Sequence, residues 1–392
     1  MPRNPDFAAR ARSILAGDFG RAPVTASTAP DPVRLHIGDS AEGPGPELPL
    51  VDELSSVGEW WYRYPAPVGT GKLRRALAGY YATAHALETT VDEILITPGA
   101  TAGLNSLVHL LCDEGDEVLV PTPAWPLFSG MCKLAGAKPI ELPLHHEVDE
   151  LSADELAHRI ESAITPRTTL LWLNTPNNPS GTLMDAEQCA AVLKVARRHD
   201  LWVISDEAYD GMAFDGRSTR TMGHHPDVIV VSTFSKMHRC AGLRLGWIRS
   251  RPEVIAAATR VATFQNYSAS AAAQALVEPA VMTRADWEPG VRASLQERRD
   301  AFVAALDLDI RPPAGSYFVF LDLRRWLGPD FDGAAAVAGL LQQGVCVTAG
   351  IEFGQDFKGW IRACFASESE ESTVTAARRI GAWIRDRASH DG

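Results

Sequence analysis

Residues 227–246 read DVIVVSTFSKMHRCAGLRLG. The apolar, β-branched run at 228–231 predicts a buried strand, and small hydroxyl residues follow it before Lys236. A lysine directly after a buried strand can have its amine desolvated, which lowers the pKa of the amine and makes it a nucleophile. Hydroxyl groups and the guanidinium of Arg244 can hold a phosphate beside it. Taken alone, a Ser-Lys pair at a strand end is more often a surface feature, because lysine is mostly exposed.

The size and composition of the chain indicate an ordinary globular protein. Its 392 residues are too many for one compact core, which predicts two domains. Hydrophobic residues make up 46% and charged residues 22%, and the net charge is −12. Because an acidic surface repels polyanions, we expect neither a nucleic acid nor an anionic membrane as a partner. No apolar run is long enough to span a membrane, and the N-terminus lacks an apolar signal core.

The cysteines give no sign of a metal site or a disulfide framework. There are six of them and no CxxC pair, so the sequence predicts neither a zinc site nor disulfide bonds. No other metal-ligand set is predicted. Free cysteines without a signal core are typical of a reducing compartment, and we expect the protein to be cytoplasmic.

Strand patterns alternate with helical patterns between about residues 50 and 280, which indicates a doubly wound or mixed α/β sheet. One helix in this region begins with a capping box, Asp185 and Gln188. Beyond residue 285 the pattern predicts a smaller α+β domain. The predicted strands are 35–39, 94–97, 117–120, 169–174, 201–205, 228–232, 243–248, 317–322, 345–348 and 360–365, and the predicted helices include 7–16, 102–112, 286–306, 333–343 and 369–387.

Three polar features suggest a binding site, and each also has a simpler explanation. Residues 99–103 carry two glycines between a predicted strand and a predicted helix, where backbone N–H groups favour an anion, although a plain turn is commoner. Asp206 follows the strand 201–205, where it points into a sheet-edge crevice or caps a helix. Arg362 lies in an apolar strand and needs a carboxylate partner, either a bound one or a structural aspartate.

The segment Thr-Phe-Ser-Lys at 233–236, followed by Gly-Leu-Arg-Leu-Gly at 242–246, resembles the Schiff-base segment of the class I/II aminotransferases. These are fold-type I enzymes that use pyridoxal 5'-phosphate (PLP). The resemblance continues in the family's order from about Leu35 to Ala366, which is most of the chain.

The resemblance implies an architecture and an assembly. A large α/β PLP-binding domain with a mostly parallel central sheet is expected at 50–284, and a smaller α+β domain at 285–392. An N-terminal arm, 1–49, is expected to pack with the small domain. Tyr64 matches a tyrosine that reaches the phosphate of the neighbouring subunit, which implies a homodimer with a shared active site. A buried tyrosine in a Pro-rich turn is the alternative.

The resemblance also assigns roles to individual residues. Lys236, Asp206 and Tyr209 are expected to be catalytic: the lysine carries PLP, the aspartate pairs with the pyridine nitrogen and the tyrosine bonds the phenolic oxygen. A protonated ring nitrogen makes PLP a strong electron sink. Arg362, with Asn178 and Gly38, is expected to bind the substrate. The expected cofactor contacts are Ala100, Thr101, Trp125, Asn178, Asp206, Tyr209, Thr233, Ser235, Lys236 and Arg244, with Tyr64 of the partner subunit.

Other residues leave the substrate open. Asn178 lies in an Asn- and Pro-rich loop similar to the family's Asn-Pro-Thr-Gly loop, and Trp125 matches the aromatic residue that stacks on the cofactor ring. A turn and a core tryptophan are the respective alternatives. Glu352, His238 and Arg239 depart from the common pattern and either recognise a polar or basic substrate or are solvated loop residues. Residues 60–61 are two tryptophans that line a side-chain pocket or an interface.

These features predict an aminotransferase that moves an amino group between an L-amino acid and a 2-oxo acid through a Schiff base on Lys236. PLP-dependent lyases, decarboxylases and cyclases are the alternative, because each needs the same carbanion on the same scaffold. A PLP-binding regulator would need a DNA-binding module, for which the roughly 35 residues before Leu35 are too few. A nicotinamide-dependent dehydrogenase is not indicated, because no GxGxxG follows a strand near the start.

Overall fold

The computed structural model describes residues 9–14, 32–45, 61–219 and 221–389. The helices in these ranges are α1 (Ala9–Arg12), α2 (Gly71–His85), α3 (Gly99–Leu111), α4 (Pro126–Ala135), α5 (Ala153–Ser162), α6 (Ala186–Arg198), α7 (Pro252–Asn266), α8 (Ala271–Met282), α9 (Arg284–Leu306), α10 (Arg324–Leu327), α11 (Gly333–Gln342) and α12 (Glu370–Ala388). The strands are β1 (Val33–Arg34), β2 (Ile94–Thr97), β3 (Glu117–Thr122), β4 (Lys138–Pro143), β5 (Thr168–Asn174), β6 (Trp202–Asp206), β7 (Val228–Thr233), β8 (Gly246–Arg249), β9 (Phe318–Asp322), β10 (Val345–Cys346), β11 (Thr348–Ala349) and β12 (Trp360–Cys364). None of these helices is both long and apolar enough to cross a membrane.

The central element is a seven-stranded sheet with the strand order β2-β8-β7-β6-β5-β3-β4. Neighbouring strands are parallel except at β8, which is antiparallel to β2 and β7, so the predicted mostly parallel sheet is confirmed. All residues of β2, β3, β7 and β8 are buried, as expected of strands covered by helices on both faces. The parallel strands β5, β6 and β7 end at Asn174, Asp206 and Thr233, which therefore lie at the same edge of the sheet.

The C-terminal part contains a separate antiparallel sheet with the order β11-β12-β9. Arg362 lies in the middle of β12, opposite Thr348 on one side and Phe320 on the other. Residues 32–45 of the N-terminal arm attach here: β1 pairs with β10, and Leu35 is buried in the same apolar core as β9 and β12. The other described part of the arm, α1, lies against α4 instead, and Arg10 pairs with Glu114 at 2.9 Å. The arm therefore contacts both parts of the chain, and the domain boundaries stay predictions.

The start of α3 differs from the prediction in a way that matters for the site. The helix begins at Gly99 rather than at residue 102, which puts Ala100 and Thr101 in its first turn. Gly246 lets this helix end approach the sheet, because a Cβ on Gly246 would lie 2.5 Å from the backbone nitrogen of Ala100. No real Cβ tolerates such a contact, so a side chain at 246 would push the helix away.

Several predicted strands are wrong in detail. The strand predicted at 243–248 begins at Gly246, because a 3-10 turn comes first and Arg244 has a φ of 52°. The strand predicted at 35–39 is absent from the described arm, whose strand is β1, just before Leu35. The strand predicted at 345–348 is split between two sheets as β10 and β11. β4 lies outside the predicted strands, because its sequence, KPIELP, has charges and prolines that disfavour a strand assignment.

Candidate active site

A cavity of about 580 Å³ opens at the carboxyl ends of β5, β6 and β7, facing the C-terminal part of the chain. Its wall contains every residue predicted to bind cofactor or substrate, apart from Tyr64. These residues are Gly38, Ala100, Thr101, Trp125, Asn178, Asp206, Tyr209, Thr233, Ser235, Lys236, Arg244 and Arg362. They come from segments far apart in the sequence, so the fold rather than local structure brings them together.

Lys236 extends into this cavity from the segment that follows β7. Its Nζ donates a hydrogen bond to the carbonyl oxygen of Gly38 and lies 5.9 Å from the ring centres of Tyr209 and Tyr317. Desolvation lowers the pKa of the Lys236 amine, and the charge of Asp39 opposes this shift. A lowered pKa raises the fraction of neutral amine, which is the nucleophilic form.

Arg244 and the start of α3 form a cradle for an anion. The guanidinium lies so close to Gly99 that a Cβ there would meet Nη2 at 2.7 Å, and Gly99 also has a φ of +82°. Glycine alone satisfies both conditions without strain. The hydroxyl oxygens of Thr233 and Ser235, 2.9 Å apart, lie in the same wall. Helix-start N–H groups, hydroxyls and a guanidinium are together suited to a phosphate.

Asp206 is a buried carboxylate at the end of β6. The N–H of Ala208 donates to its Oδ1 over 3.2 Å, and no described lysine or arginine forms an ion pair with it. Desolvation raises the pKa of Asp206 to about 7, and the neighbouring charge of Glu207 adds to the shift. A cation placed against this carboxylate would reverse the shift, since an opposite charge favours the ionised form.

Glu207 is equally buried but points elsewhere. Its Oε1 accepts hydrogen bonds from the hydroxyl of Ser205 at 2.8 Å, the hydroxyl of Thr221 at 3.1 Å and the N–H of Met222 at 2.9 Å. It therefore holds the loop around residue 221 and does not line the cavity. Of the two adjacent acids, Asp206 is the one that lines the cavity.

Arg362 is the buried cation at the opposite side of the cavity. Its guanidinium donates to Asn178 Oδ1 at 2.9 Å and to the carbonyl oxygen of His36 at 2.6 Å, and its Nε has no described partner. No described carboxylate pairs with it, so the alternative of a structural Arg–Asp pair is wrong within the described residues. Desolvation lowers the pKa of Arg362 to about 10. An unpaired buried guanidinium is suited to a carboxylate ligand.

Asn174 organises this wall, although no sequence pattern singled it out as a site residue. Its Nδ2 donates to the carbonyl oxygen of Asp206 at 2.9 Å, and its Oδ1 accepts from the N–H of Asn178 at 2.8 Å. His36 was also not predicted, because it acts through its backbone carbonyl, which carries no sequence signal. Asn174 ends β5, next to the end of β6, and that adjacency is the signal by which it could have been found.

The three residues considered for recognition of a polar or basic substrate do not lie together. Glu352 lies in the cavity wall. His238 is buried against the rings of Phe234 and Trp287, and desolvation holds its pKa well below its ordinary value. Arg239 pairs with Glu42 of the N-terminal arm. His238 and Arg239 line no part of the cavity, and Trp60 lies outside the described residues.

Tyr64 lies outside the cavity and is 84% exposed. Its ring meets that of Tyr267 edge to face, with centroids 5.0 Å apart. Phe264 lies in the last turn of α7, just before Tyr267, and is 94% exposed. Trp61, three residues before Tyr64, is also partly exposed. The alternative of a buried tyrosine at 64 is therefore wrong.

Comparison with known proteins shows the family of this chain. A model of the aminotransferase class I and II family matches residues 53–380. The chain belongs to the class I and II aminotransferases. It is similar to an aspartate/prephenate aminotransferase of Thermus thermophilus, with 31% identity over 325 residues, which are 81% of this chain and 82% of that protein.

Two further relatives place this aminotransferase among enzymes with different named substrates. A probable N-succinyldiaminopimelate aminotransferase of Mycobacterium tuberculosis is 31% identical over 291 residues, covering 71% of this chain and 72% of that protein. The crystal structure of the aspartate aminotransferase from Rhizobium meliloti superposes with a TM-score of 0.88 at 27% identity, covering 98% of this chain and 99% of that chain. The fold-type I assignment is thereby confirmed.

Aminotransferases of this family depend on PLP, and the donor set of the cavity fits that cofactor. The anion cradle at Gly99 and Arg244 suits its phosphate. Asp206, buried without a cationic partner, suits a protonated ring nitrogen. Lys236, with its lowered pKa, suits the carbonyl carbon. The residues present thus match each reactive or charged group of PLP.

Proposed function

We propose that this aminotransferase exchanges an amino group between an L-amino acid and a 2-oxo acid, with Arg362 holding the α-carboxylate of both. The observation that carries this assignment is the unpaired Arg362 guanidinium in the same cavity as Lys236 and the anion cradle. A bidentate contact to a carboxylate would give that guanidinium the partner that the described residues lack. The amino group of the substrate would then point towards Lys236.

Lys236 has two roles in this proposal. When PLP is bound, its conjugated ring supplies the electron sink that stabilises negative charge at the substrate Cα. The neutral amine of Lys236 would hold the cofactor covalently and, when free, would remove the Cα proton as a general base. The low pKa that desolvation gives the amine suits it to both tasks. Tyr317, whose hydroxyl donates to the carbonyl oxygen of Lys236 at 2.8 Å, keeps the lysine in place.

The remaining residues orient the cofactor. Asp206 keeps a proton on the pyridine nitrogen, and Asn174 holds Asp206 through its carbonyl oxygen. Tyr209 and Asn178 would bind the phenolic oxygen, and Trp125 would pack against the ring. Ala100, Thr101, Thr233, Ser235 and Arg244 hold the phosphate.

Transamination is preferred over the lyase, decarboxylase and cyclase alternative because the named relatives are aminotransferases. The relatives carry different substrate names, so the amino acid itself is open. We infer a cytoplasmic location from the free cysteines, which are all reduced in the described structure.

The test of this function is the stoichiometry of a single half-reaction. We expect the holoenzyme, screened with the common L-amino acids and with N-succinyldiaminopimelate, to release one equivalent of 2-oxo acid per active site and then to stop. Addition of a second 2-oxo acid should restart turnover. Enzyme-coupled detection of the oxo acid measures both steps. Continuous release of ammonia or carbon dioxide without an added 2-oxo acid would assign the lyase or decarboxylase activity instead.

We propose further that the active unit is a homodimer, with Tyr64 of the partner subunit at the phosphate. Tyr64, Phe264 and Tyr267 form an exposed aromatic group on one chain, and exposed aromatic groups favour protein interfaces. The cavity of one chain contains every predicted cofactor contact except Tyr64. The partner's Tyr64 would then supply the one predicted cofactor contact that the described cavity of a single chain lacks.

Complementation tests the shared site. Tyr64→Phe and Lys236→Ala subunits are each expected to be impaired, whereas a mixed dimer has one site with both native residues. An equal mixture refolded together should therefore recover activity at about one quarter of the wild-type sites, since half of the dimers are mixed. Steady-state assay of the mixture against each variant measures this. Activity no higher than the sum of the variants, or a fully active monomer by light scattering, would contradict the proposal.

A further inference from the structure

A second cavity, of about 660 Å³, lies apart from the active site and shares no lining residue with it. Its wall is formed by the C-terminal end of α2, the outward side of α6 and the loop at 218–225, as far as that loop is described. The established aminotransferase chemistry uses none of these residues.

The described wall of this cavity is basic. Five of its side chains carry or can carry a positive charge, and none is a carboxylate: His85, Lys194, Arg197, His224 and His225. Three acids outside the lining contact its residues. Asp210 lies 3.5 Å from the Nε2 of His85 and also pairs with Arg284 at 3.1 Å, and Glu207 accepts hydrogen bonds from Thr221 and Met222. Asp227 lies 3.8 Å from the Nε of Arg197 and also pairs with Arg251 at 3.2 Å. Lys194 forms no ion pair with a described residue. Since the described lining itself holds cationic side chains and no carboxylate, it favours an anion.

His85 supplies a donor at the base of the cavity. Its side chain is only 6% exposed, and its Nε2 lies 2.9 Å from the hydroxyl of Tyr80 and 3.5 Å from Asp210 Oδ2. Burial lowers the pKa of His85, but the hydrogen bond to Asp210 and its charge outweigh burial, so the pKa is raised overall. Its Nδ1 makes no hydrogen bond to a described residue. In the protonated ring Nδ1 carries a hydrogen, so this donor is available to a ligand.

The rest of the wall combines hydroxyl side chains from residues 83, 218, 219 and 221 with an apolar part on and beside α6 that includes Ala190, Leu193 and Met222. A volume of about 660 Å³ is far larger than an inorganic ion needs and lies in the range of small-molecule sites. We propose that this cavity binds a small organic carboxylate with an apolar body. The carboxylate accepts hydrogen bonds from His85, Lys194 and Arg197, and the apolar body packs on α6.

The variants for testing this site must spare His85, because Tyr80, His85 and Arg284 all contact Asp210 inside the fold. Lys194, Arg197 and Ala190 lie on exposed positions of α6, so their substitution should leave the fold intact. Lys194→Gln with Arg197→Gln removes the charges, and Ala190→Trp fills the cavity. Both are made in an Arg362→Gln background, so that binding of the probe at the active site is removed.

Titration calorimetry of the PLP-loaded proteins with 3-phenylpropionate is the experiment. We expect one saturable site in Arg362→Gln, about tenfold weaker binding after the double charge removal, and no binding after Ala190→Trp. The uncharged 3-phenylpropan-1-ol should bind at least tenfold more weakly than the acid. Absence of saturable binding in Arg362→Gln, binding that survives Ala190→Trp, or equal binding of acid and alcohol would each overturn the proposal.

Discussion

Lys236→Ala is expected to lower turnover by about 10⁴-fold or more, because one change removes both the covalent attachment and the general base. The fold should persist, since the side chain makes one hydrogen bond, to the carbonyl oxygen of Gly38. The variant should still bind PLP through the anion cradle at Gly99 and Arg244. Steady-state assay, circular dichroism and equilibrium dialysis with PLP measure the three quantities.

The matched control for this variant is Lys358→Ala, which removes an exposed lysine whose one ion-pair partner among the described residues is Asp332, at the surface. Its activity should stay within about twofold of wild type, because surface ion pairs contribute little. Borohydride reduction of the wild-type holoenzyme, followed by peptide mass spectrometry, should find the cofactor on Lys236. A label on another lysine, or substantial turnover by Lys236→Ala, would refute the assignment.

Asp206→Asn is expected to reduce turnover by roughly 10²–10³-fold or more, because it removes a fixed negative charge from a water-poor site. Asparagine has nearly the same shape, so PLP binding should change much less than turnover. Glu207→Gln is the matched control: it neutralises an equally buried acid one residue on, outside the cavity. Its turnover should stay close to wild type. Similar losses in both variants would argue for a structural effect and against a specific role of Asp206.

The raised pKa of Asp206 also predicts how the PLP-free protein responds to pH. The folded protein holds a proton on Asp206 up to about pH 7, whereas the unfolded chain loses it near its ordinary value of 3.8. Between these values the folded state binds more protons, so the free energy of unfolding falls as pH rises, by at most about 1.4 kcal/mol per pH unit. Asp206→Asn should remove this contribution and be the more stable protein at pH 7. Urea denaturation of both PLP-free proteins at pH 5 and 7 measures the difference.

The sequence predicted well those features that depend on neighbouring residues. The capping box is an example: the N–H of Gln188 donates to Asp185 at 2.8 Å, and the N–H of Asp185 donates to Gln188 at 3.0 Å. Lys236 and Arg244 were predicted as site residues from local pattern alone, because the apolar strand before Lys236 and the glycines around Arg244 lie within one short stretch of sequence. The site-lining positions of the other residues followed from the family resemblance.

Features that depend on distant partners could not be predicted. The sequence left open whether Arg362 pairs with a structural aspartate, because only the folded chain shows which side chains surround β12. His238 was a substrate candidate by its place beside Lys236, yet it faces the rings of Phe234 and Trp287. Arg239 is turned away to Glu42 of the arm, 197 residues earlier in the chain. Long-range packing decides each of these cases.

The arm segment at 36–38 has a consequence for substrate affinity. Its carbonyl oxygens at His36 and Gly38 accept hydrogen bonds from Arg362 and Lys236, the two cations that the substrate and cofactor also require. A carboxylate that takes the same N–H groups of Arg362 would displace the hydrogen bond to His36, which contributes about 1 kcal/mol. Because such linkage is reciprocal, a change that ties the arm more firmly to those groups is then expected to weaken carboxylate binding. The anchoring of the N-terminal arm is therefore expected to influence the Michaelis constant.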